Sequence, residues 1–151
     1  MIEKTFCKVY EKFKIHFYQT IFEKIQSREL ELTTVETFCI EIIHALNHPT
    51  VSEFAAYIQI SAPNAAYKVN SLIKKGYLRK VRSTQDKREF HLEVTEKYLD
   101  YLNVSTTYMN TVMKRVEEHF PADQLEILNN ILKTTADELM PEVDITHTEK
   151  K

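Results

Sequence analysis

The residues best suited to bind a ligand are eight lysines and arginines concentrated between positions 68 and 91. This window has a net charge of +6, whereas the whole 151-residue chain has −2, so the remainder has −8. The cations are Lys68, Lys74, Lys75, Arg79, Lys80, Arg82, Lys87 and Arg88. A compact basic segment in an acidic chain indicates a surface that contacts a polyanion, double-stranded DNA above all. The simpler alternative is a solvated charged face on a winged-helix module that binds protein rather than specific DNA.

Four polar side chains around the start of this window share one face of a predicted helix. They follow the spacing i, i+3, i+4 and i+7 and are Asn64, Tyr67, Lys68 and Ser71. The opposite face is mainly alanine and aliphatic residues. Because small residues let that face approach its neighbours closely, the hydrogen-bonding groups face outward on an element that a major groove admits. We therefore predict that these four residues contact DNA.

Catalytic and cofactor chemistry is poorly supported. The chain has a single glycine, so it lacks the Gly-rich loops that bring backbone close to nucleotide phosphates. Its histidines and cysteines form no nucleophile-and-base grouping with a supporting context. We expect neither an enzyme nor a bound cofactor.

One group of residues has the spacing of a metal site. Glu41, His44 and His48 stand at i, i+3 and i+7, and histidines four residues apart can share a metal ion. Two histidines and a glutamate at a helix end are more often a polar edge, and no second distant pair is evident. We therefore predict no metal, although this alternative stays open.

The elements that position the polar face are predicted to be helices. Apolar residues at three- and four-residue steps predict a long first helix over residues 2–26. Thr33 with Glu36, and Thr50 with Glu53, have capping-box spacing, so each pair predicts the start of a further helix.

A fourth helix carries the polar face itself. Ser61 is a suitable N-cap, and Pro63 is tolerated in the first turn. The helix ends at Gly76, because a glycine directly after two lysines suits the left-handed position that follows a helix.

The apolar period then changes from that of a helix to that of a strand. Phe90, Leu92 and Val94 alternate with polar residues, and residues 78–82 can pair with them in an antiparallel hairpin. Residues 83–88 supply a polar connection. The sequence predicts a hairpin with a basic tip.

The predicted fold is mostly α with a small β-hairpin wing: a winged helix-turn-helix plus a helical dimerisation region. Thr95 begins a long helix that reaches about Phe120, and a last helix follows Pro121. The predicted parts are an N-terminal dimerisation helix at 1–31, the winged helix-turn-helix at 32–95, dimerisation helices at 96–140 and a flexible tail at 141–151.

Over about residues 5–140 the sequence resembles the MarR family of bacterial regulators. The matching stretches are Leu32-Thr33, Thr50-Val51-Ser52-Glu53-Phe54-Ala55, Ser71-Leu72-Ile73-Lys74-Lys75-Gly76-Tyr77-Leu78, and the wing from Arg82 through Asp86-Lys87-Arg88 to Val94-Thr95. The resemblance implies a transcriptional regulator, in particular a ligand- or stress-responsive repressor. It would bind a pseudo-palindromic operator as a homodimer joined through its first and last helices.

In the wing, the resemblance assigns a role to three residues. Asp86 would pair with basic neighbours and brace the loop, Arg88 would contact DNA, and Lys87 would be a second phosphate partner. Arg82 would lie along the flanking backbone or the minor groove.

The trigger of such a regulator stays open. Cys7 lies in the first helix, where the peroxide-sensing branch of the family has a reactive cysteine, but a packed cysteine is commoner. Aromatic residues around Tyr101 and Tyr108 could line an effector pocket, or belong to the core or dimer interface. No segment reaches the roughly 18 apolar residues of a membrane span, so we expect a cytoplasmic protein.

Overall fold

The computed structural model describes residues 1–29, 31–143 and 145, with no description of the side chains at 104 and 105. These residues form six helices and one two-stranded antiparallel sheet. The elements are α1 Ile2–Gln26, α2 Thr34–Ala45, α3 Val51–Tyr57, α4 Ala62–Lys74, β1 Leu78–Arg82, β2 Phe90–Val94, α5 Glu96–His119 and α6 Ala122–Glu138. The predicted mostly-α fold with a β-hairpin wing is confirmed. Residues 144 and 146–151 of the predicted tail lie outside the described residues.

The described residues form two compact units. One contains residues 1–23 and 103–143, and the other contains residues 24–29, 31–102 and 145. The divisions fall inside α1 and α5, because each of these long helices contributes to both units. No described helix has the length and apolar content that crossing a bilayer requires.

The unit of residues 24–102 has a well-packed apolar core. Its fully buried side chains come from α2, α3, α4, the hairpin and the first turn of α5: Ile40, Ile43, Phe54, Val69, Leu72, Leu92 and Tyr98. Each such aliphatic or phenyl side chain stabilises the fold by roughly 1.5–3 kcal/mol relative to its exposed form. This core fixes α4 against α3 and the hairpin.

Both predicted capping boxes are present. The Thr33 hydroxyl accepts from the backbone N–H of Glu36, and a Glu36 carboxylate oxygen accepts from the N–H of Thr33 at 2.8 Å. Thr50 and Glu53 make the same reciprocal pair at the start of α3. Two orphan N–H groups are thus satisfied at each helix start.

Gly76 ends α4 as predicted. Its φ is +86°, a left-handed conformation that strains residues with a Cβ. The N–H of Tyr77 donates to the carbonyl of Leu72, and that of Gly76 to Ile73, both at 3.0 Å, which is a Schellman motif. The Thr95 hydroxyl, directly before α5, donates to the Gly76 carbonyl at 2.6 Å. This contact anchors the base of the hairpin to the end of α4.

The two predicted strands pair antiparallel, and of the alternating apolar residues of β2 Leu92 is buried whereas Phe90 is exposed. Leu78 lies opposite Val94, and Arg82 lies opposite Phe90. The backbone N–H of Leu92 also donates to the carbonyl of Pro49 at 2.8 Å, which joins the wing to the segment before α3. The wing is therefore held on the same body as α4.

The other unit has no comparable core. Among residues 1–23, 103 and 106–143, none is buried. Its exposed apolar side chains include Ile2, Phe6, Val9, Tyr10, Phe22, Met109, Ile127, Leu128, Ile131, Leu132 and Leu139. The apolar faces of α1 and α6 are not covered by other described residues.

Candidate nucleic-acid interface

An exposed polar stripe follows α4 along three- and four-residue steps. It consists of Asn64, Tyr67, Asn70 and Lys74, and the Tyr67 side chain is 76% exposed. Ala65, Val69 and Leu72 on the other side of the helix are buried. The Ser61 hydroxyl accepts from the N–H of Asn64 at 3.4 Å and so begins the helix as predicted. The helix therefore presents two amides and a phenol to solvent from a rigid base.

Lys68, predicted to face outward with this stripe, lies at its edge. It is half-buried, and its ammonium lies close enough to Cys39 to act on that thiol. Burial raises the pKa of Cys39, and the charge of Lys68 offsets part of this effect. Lys68 thus lies at the margin of the exposed stripe and not at its centre.

Ser71 differs from the outward orientation that the helical spacing suggested. It is half-buried, and its hydroxyl donates to Glu36 Oε1 at 2.5 Å. The physical reason is that Ser71 lies between the exposed and packed faces of α4, next to the buried carboxylate of α2. Because its hydroxyl is bound to Glu36, we do not propose Ser71 as a DNA contact.

Glu36 is the centre of a charged network between α2 and α4. Its Oε2 atom lies 2.7 Å from Lys75 Nζ and accepts from the N–H of Thr33, while Oε1 accepts from Ser71. Burial has the largest influence on its pKa and raises it, but the hydrogen bonds from Lys75, Ser71 and Thr33 together lower it to about 2. The network connects the C-terminal end of α4 to the start of α2.

We expect this network to make stability fall in acid. The pKa of Glu36 is lowered from 4.5 to about 2 on folding, so its contribution is complete above 4.5 and is lost as pH falls towards 2. A shift of this size corresponds to about 3 kcal/mol. Denaturant unfolding of the wild type and Glu36→Gln at pH 7, 5 and 3 should show their difference shrinking below pH 5. A difference that stays constant with pH would contradict the assignment.

The wing loop is braced by Asp86 through the backbone. The Asp86 carboxylate accepts from the N–H of Arg88 at 2.9 Å, and the Ser83 hydroxyl accepts from the N–H of Gln85 and of Asp86. The N–H of Ser83 donates to the carbonyl of Glu89 and closes the loop. The resemblance implied pairing of Asp86 with basic neighbours; the contact found here is with the amide of one such neighbour. The side chain of Arg88 stays exposed.

Two cations of the basic window form ion pairs with carboxylates of the same chain. Lys75 is bound to Glu36, and Arg79 pairs with Glu93 across the hairpin at 2.6 Å. Exposed cations that take part in no ion pair within the described residues are Lys74, Lys80, Arg82, Lys87 and Arg88. Arg82 lies 5.4 Å from the centre of the Phe90 ring, which orients its guanidinium on the wing.

Three residues of this surface were missed by the sequence analysis. Asn70, Lys74 and Lys80 are exposed beside the predicted contacts. Asn70 stands three residues after Tyr67, so the helical spacing could have identified it. Lys74 and Lys80 were counted in the basic window but were not predicted as contacts.

The candidate metal ligands of the sequence make other contacts. His48 Nε2 is 3.9 Å from Glu93 Oε1, while His44 packs edge-on against the ring of Tyr98. Burial raises the pKa of Glu41, and burial together with the charge of His48 lowers that of His44. No group of three potential metal ligands is found within the part of the chain that the structure describes.

The cysteines and tyrosines fall into different environments. Cys39 is buried in α2, and Cys7 is exposed on α1. Tyr101 is buried, and burial is the largest influence raising the pKa of its phenol. Tyr108 stacks on His16 with ring centres 3.7 Å apart.

A cavity of about 260 Å³ lies within the unit of residues 24–102. It is lined by Lys24, Glu29, Tyr77, Lys97, Asp100 and Tyr101. The Tyr101 hydroxyl has no hydrogen-bond partner within the described residues. The cavity therefore combines aromatic and charged groups at a size suited to a small ligand.

Comparisons with known proteins agree with this architecture. The model of the MarR family matches residues 32–90. No curated protein sequence matches the chain. Similar solved structures include a MepR variant from a multidrug-resistant S. aureus clinical isolate, with 13% identity, 92% of this chain and 97% of that chain covered, and a TM-score of 0.64. A MarR family protein from Bacillus stearothermophilus has 13% identity, coverage of 91% and 92%, and a TM-score of 0.63. Streptococcus pneumoniae FabT in complex with DNA has 19% identity, coverage of 89% and 96%, and a TM-score of 0.50.

Proposed function

Because the chain carries a MarR-family domain over residues 32–90, we propose that it is a transcriptional regulator that binds double-stranded DNA as a homodimer. The observation that carries this proposal is the juxtaposition of the exposed α4 stripe with solvent-facing cations on the wing. A helix of this kind enters the major groove, while wing cations contact phosphates or the neighbouring minor groove. The solved complex of FabT with DNA, a protein of similar fold, supports the same use of the fold.

The distribution of charge supports a polyanionic partner more strongly than a protein partner. The chain is acidic overall, yet Lys80, Arg82, Lys87 and Arg88 are all exposed on one hairpin. Such cations release condensed counterions on binding DNA, which makes the affinity depend steeply on salt. If the protein is a protein-binding module instead, it will not be retained on duplex DNA at low salt.

The exposed apolar faces of α1 and α6 support a second copy of the chain as partner. A unit without buried residues gains little from the hydrophobic effect by itself, and obligate dimer interfaces bury large apolar surfaces of this kind. A two-fold dimer presents two α4 helices, so the operator we propose is pseudo-palindromic, with half-sites about one helical turn apart.

We also propose that binding is regulated by a small ligand, with repression as the default state. The cavity lined by Lys97 and Tyr101 supports this view, because it places charged groups of both signs beside two tyrosines. Isothermal titration with small aromatic acids, with Tyr101→Phe as the matched variant, tests this part separately from DNA binding.

The proposed DNA interface is tested through the wing. We expect Arg88→Ala to weaken binding to all duplex sequences and to reduce the slope of log affinity against log salt by about 1, because one phosphate contact is lost. Fluorescence anisotropy with a labelled duplex, recorded at several salt concentrations between about 50 and 200 mM, measures both the affinity and the slope.

Lys133→Ala is the matched control for Arg88→Ala, since it removes an exposed cation from α6. It should leave affinity and slope unchanged. An unchanged slope for Arg88→Ala would remove Arg88 from the interface, and absence of binding to any duplex at low salt would overturn the proposed function.

A further inference from the structure

The base-facing side chains of α4 carry information about the DNA sequence that they can read. Asn64, Tyr67 and Asn70 are its exposed polar groups in the first three turns. An asparagine amide matches adenine, because it can accept from N6 and donate to N7 at the same time. Guanine is read chiefly by arginine or lysine, which donate to O6 and N7.

Cations suited to guanine are poorly placed on this helix. α4 contains no arginine. Lys68 is half-buried, and Lys74 lies in the last turn. Recognition helices contact base edges mainly through their N-terminal residues, and Lys74, the last residue of α4, lies farther from that end than the other exposed polar residues of the stripe.

The remaining groups at the start of α4 favour thymine. Ala62 is exposed in the first turn, and the ring of Tyr67 is 76% exposed one turn later. Methyl and aromatic side chains make apolar contacts with the thymine C5-methyl group. An amide that binds adenine and an apolar side chain that contacts the thymine methyl group together recognise the two bases of A·T pairs.

The wing supplies a second argument that does not depend on α4. Arg82 and Arg88 are exposed at the base and tip of the loop. The minor groove of A·T tracts is narrow and has an enhanced negative potential that attracts arginine. Both α4 and the wing thus favour A·T-rich DNA.

We propose that each operator half-site is A·T-rich, with Asn64 and Asn70 as the residues that select adenine in the major groove. This inference rests on the proposed function and specifies the class of DNA that the same site takes. It assigns to Asn70 a role in sequence selection that its exposure alone does not imply.

The experiment starts with selection of bound sequences from a random duplex pool at low salt. The recovered half-sites should contain a run of A·T pairs on each side of a two-fold centre. Replacing one adenine pair of a half-site by G·C should weaken wild-type binding roughly ten-fold, in the range expected for loss of one bidentate contact.

The asparagine variants assign each position. Asn64→Ala and Asn70→Ala should each abolish the discrimination at one base pair, while the salt dependence stays that of the wild type. Asn110→Ala removes the same amide from an exposed position on α5 and should keep the full discrimination. Far-UV circular dichroism confirms that each variant is folded.

Failure of the inference is distinguishable from failure of the proposed function. Specific binding to G·C-rich half-sites, or unchanged discrimination in both asparagine variants, would overturn the inference and leave the regulator proposal standing. Recovery of no duplex at all would overturn both.

Discussion

Glu36→Ala is expected to lower the free energy of unfolding by about 3 kcal/mol at pH 7, because it removes one partner of a buried ion pair. The carboxylate accepts hydrogen bonds from Thr33, Ser71 and Lys75, and the residue is buried. Its loss also opens one half of a capping box. Lys75 retains some solvent exposure, which keeps the cost of leaving its ammonium unpaired at the lower end of the usual range.

Chemical denaturation at equal protomer concentration measures this effect, since oligomerisation makes apparent stability depend on concentration. Thr50→Ala is the matched control, because it removes an N-cap hydroxyl from the more exposed box of α3, and such a loss costs about 1 kcal/mol. Glu36→Gln should fall between the two. Equal losses in Glu36→Ala and Thr50→Ala would show that Glu36 acts only as a cap and that its pairing with Lys75 contributes nothing.

The helix starts and the end of α4 could be predicted because each depends on residues close together in sequence. Thr33 and Glu36 are three residues apart, and the capping box that they form needs no tertiary contact. Gly76 likewise ends α4 through bonds to residues three to five positions away, counted from it and from Tyr77. Local chemistry and apolar period therefore predicted the order of elements correctly.

Which residues of the polar face of α4 are exposed and which are half-buried could not be predicted from the period of this helix alone. Ser71 meets Glu36 across 35 positions of sequence, and this contact turns a residue at the edge of the face inward. Nothing in the spacing of α4 alone identifies which neighbour lies beside that edge. Only the packing of α2 against α4 decides it.

The same limit applies to the basic window. Its charge is clear from the sequence, but the neutralisation of Arg79 by Glu93 depends on the hairpin register. Lys75 is engaged by a carboxylate on another helix. The count of eight cations therefore overstates the charge that can meet DNA, and fewer phosphate contacts than eight are expected per protomer.

Ile131→Glu is expected to convert the proposed dimer to a monomer and to lower affinity for a two-half-site operator by at least about 100-fold, because linked half-sites gain 10²–10⁴ in avidity. Ile131 is 57% exposed on α6, and Ile127, one turn earlier, is 59% exposed. A glutamate placed in this apolar face would be desolvated by the partner's surface without a matching cation. The unit of residues 24–102, which contains α4 and the wing, has its own core. It should therefore remain folded in this variant.

Sedimentation equilibrium and anisotropy with one-half-site and two-half-site duplexes separate the possible outcomes. Asn130→Glu is the matched control, since it adds the same charge one residue away on the polar side of α6. It should stay dimeric and bind as the wild type does.

If Ile131→Glu stays dimeric with full affinity, the α6 face is not the interface. If it is monomeric but binds the two-half-site duplex unchanged, a single reading head recognises the operator and the two-fold arrangement of the site is wrong. Because both variants carry the added charge, electrostatic repulsion of DNA alone cannot produce a difference between them.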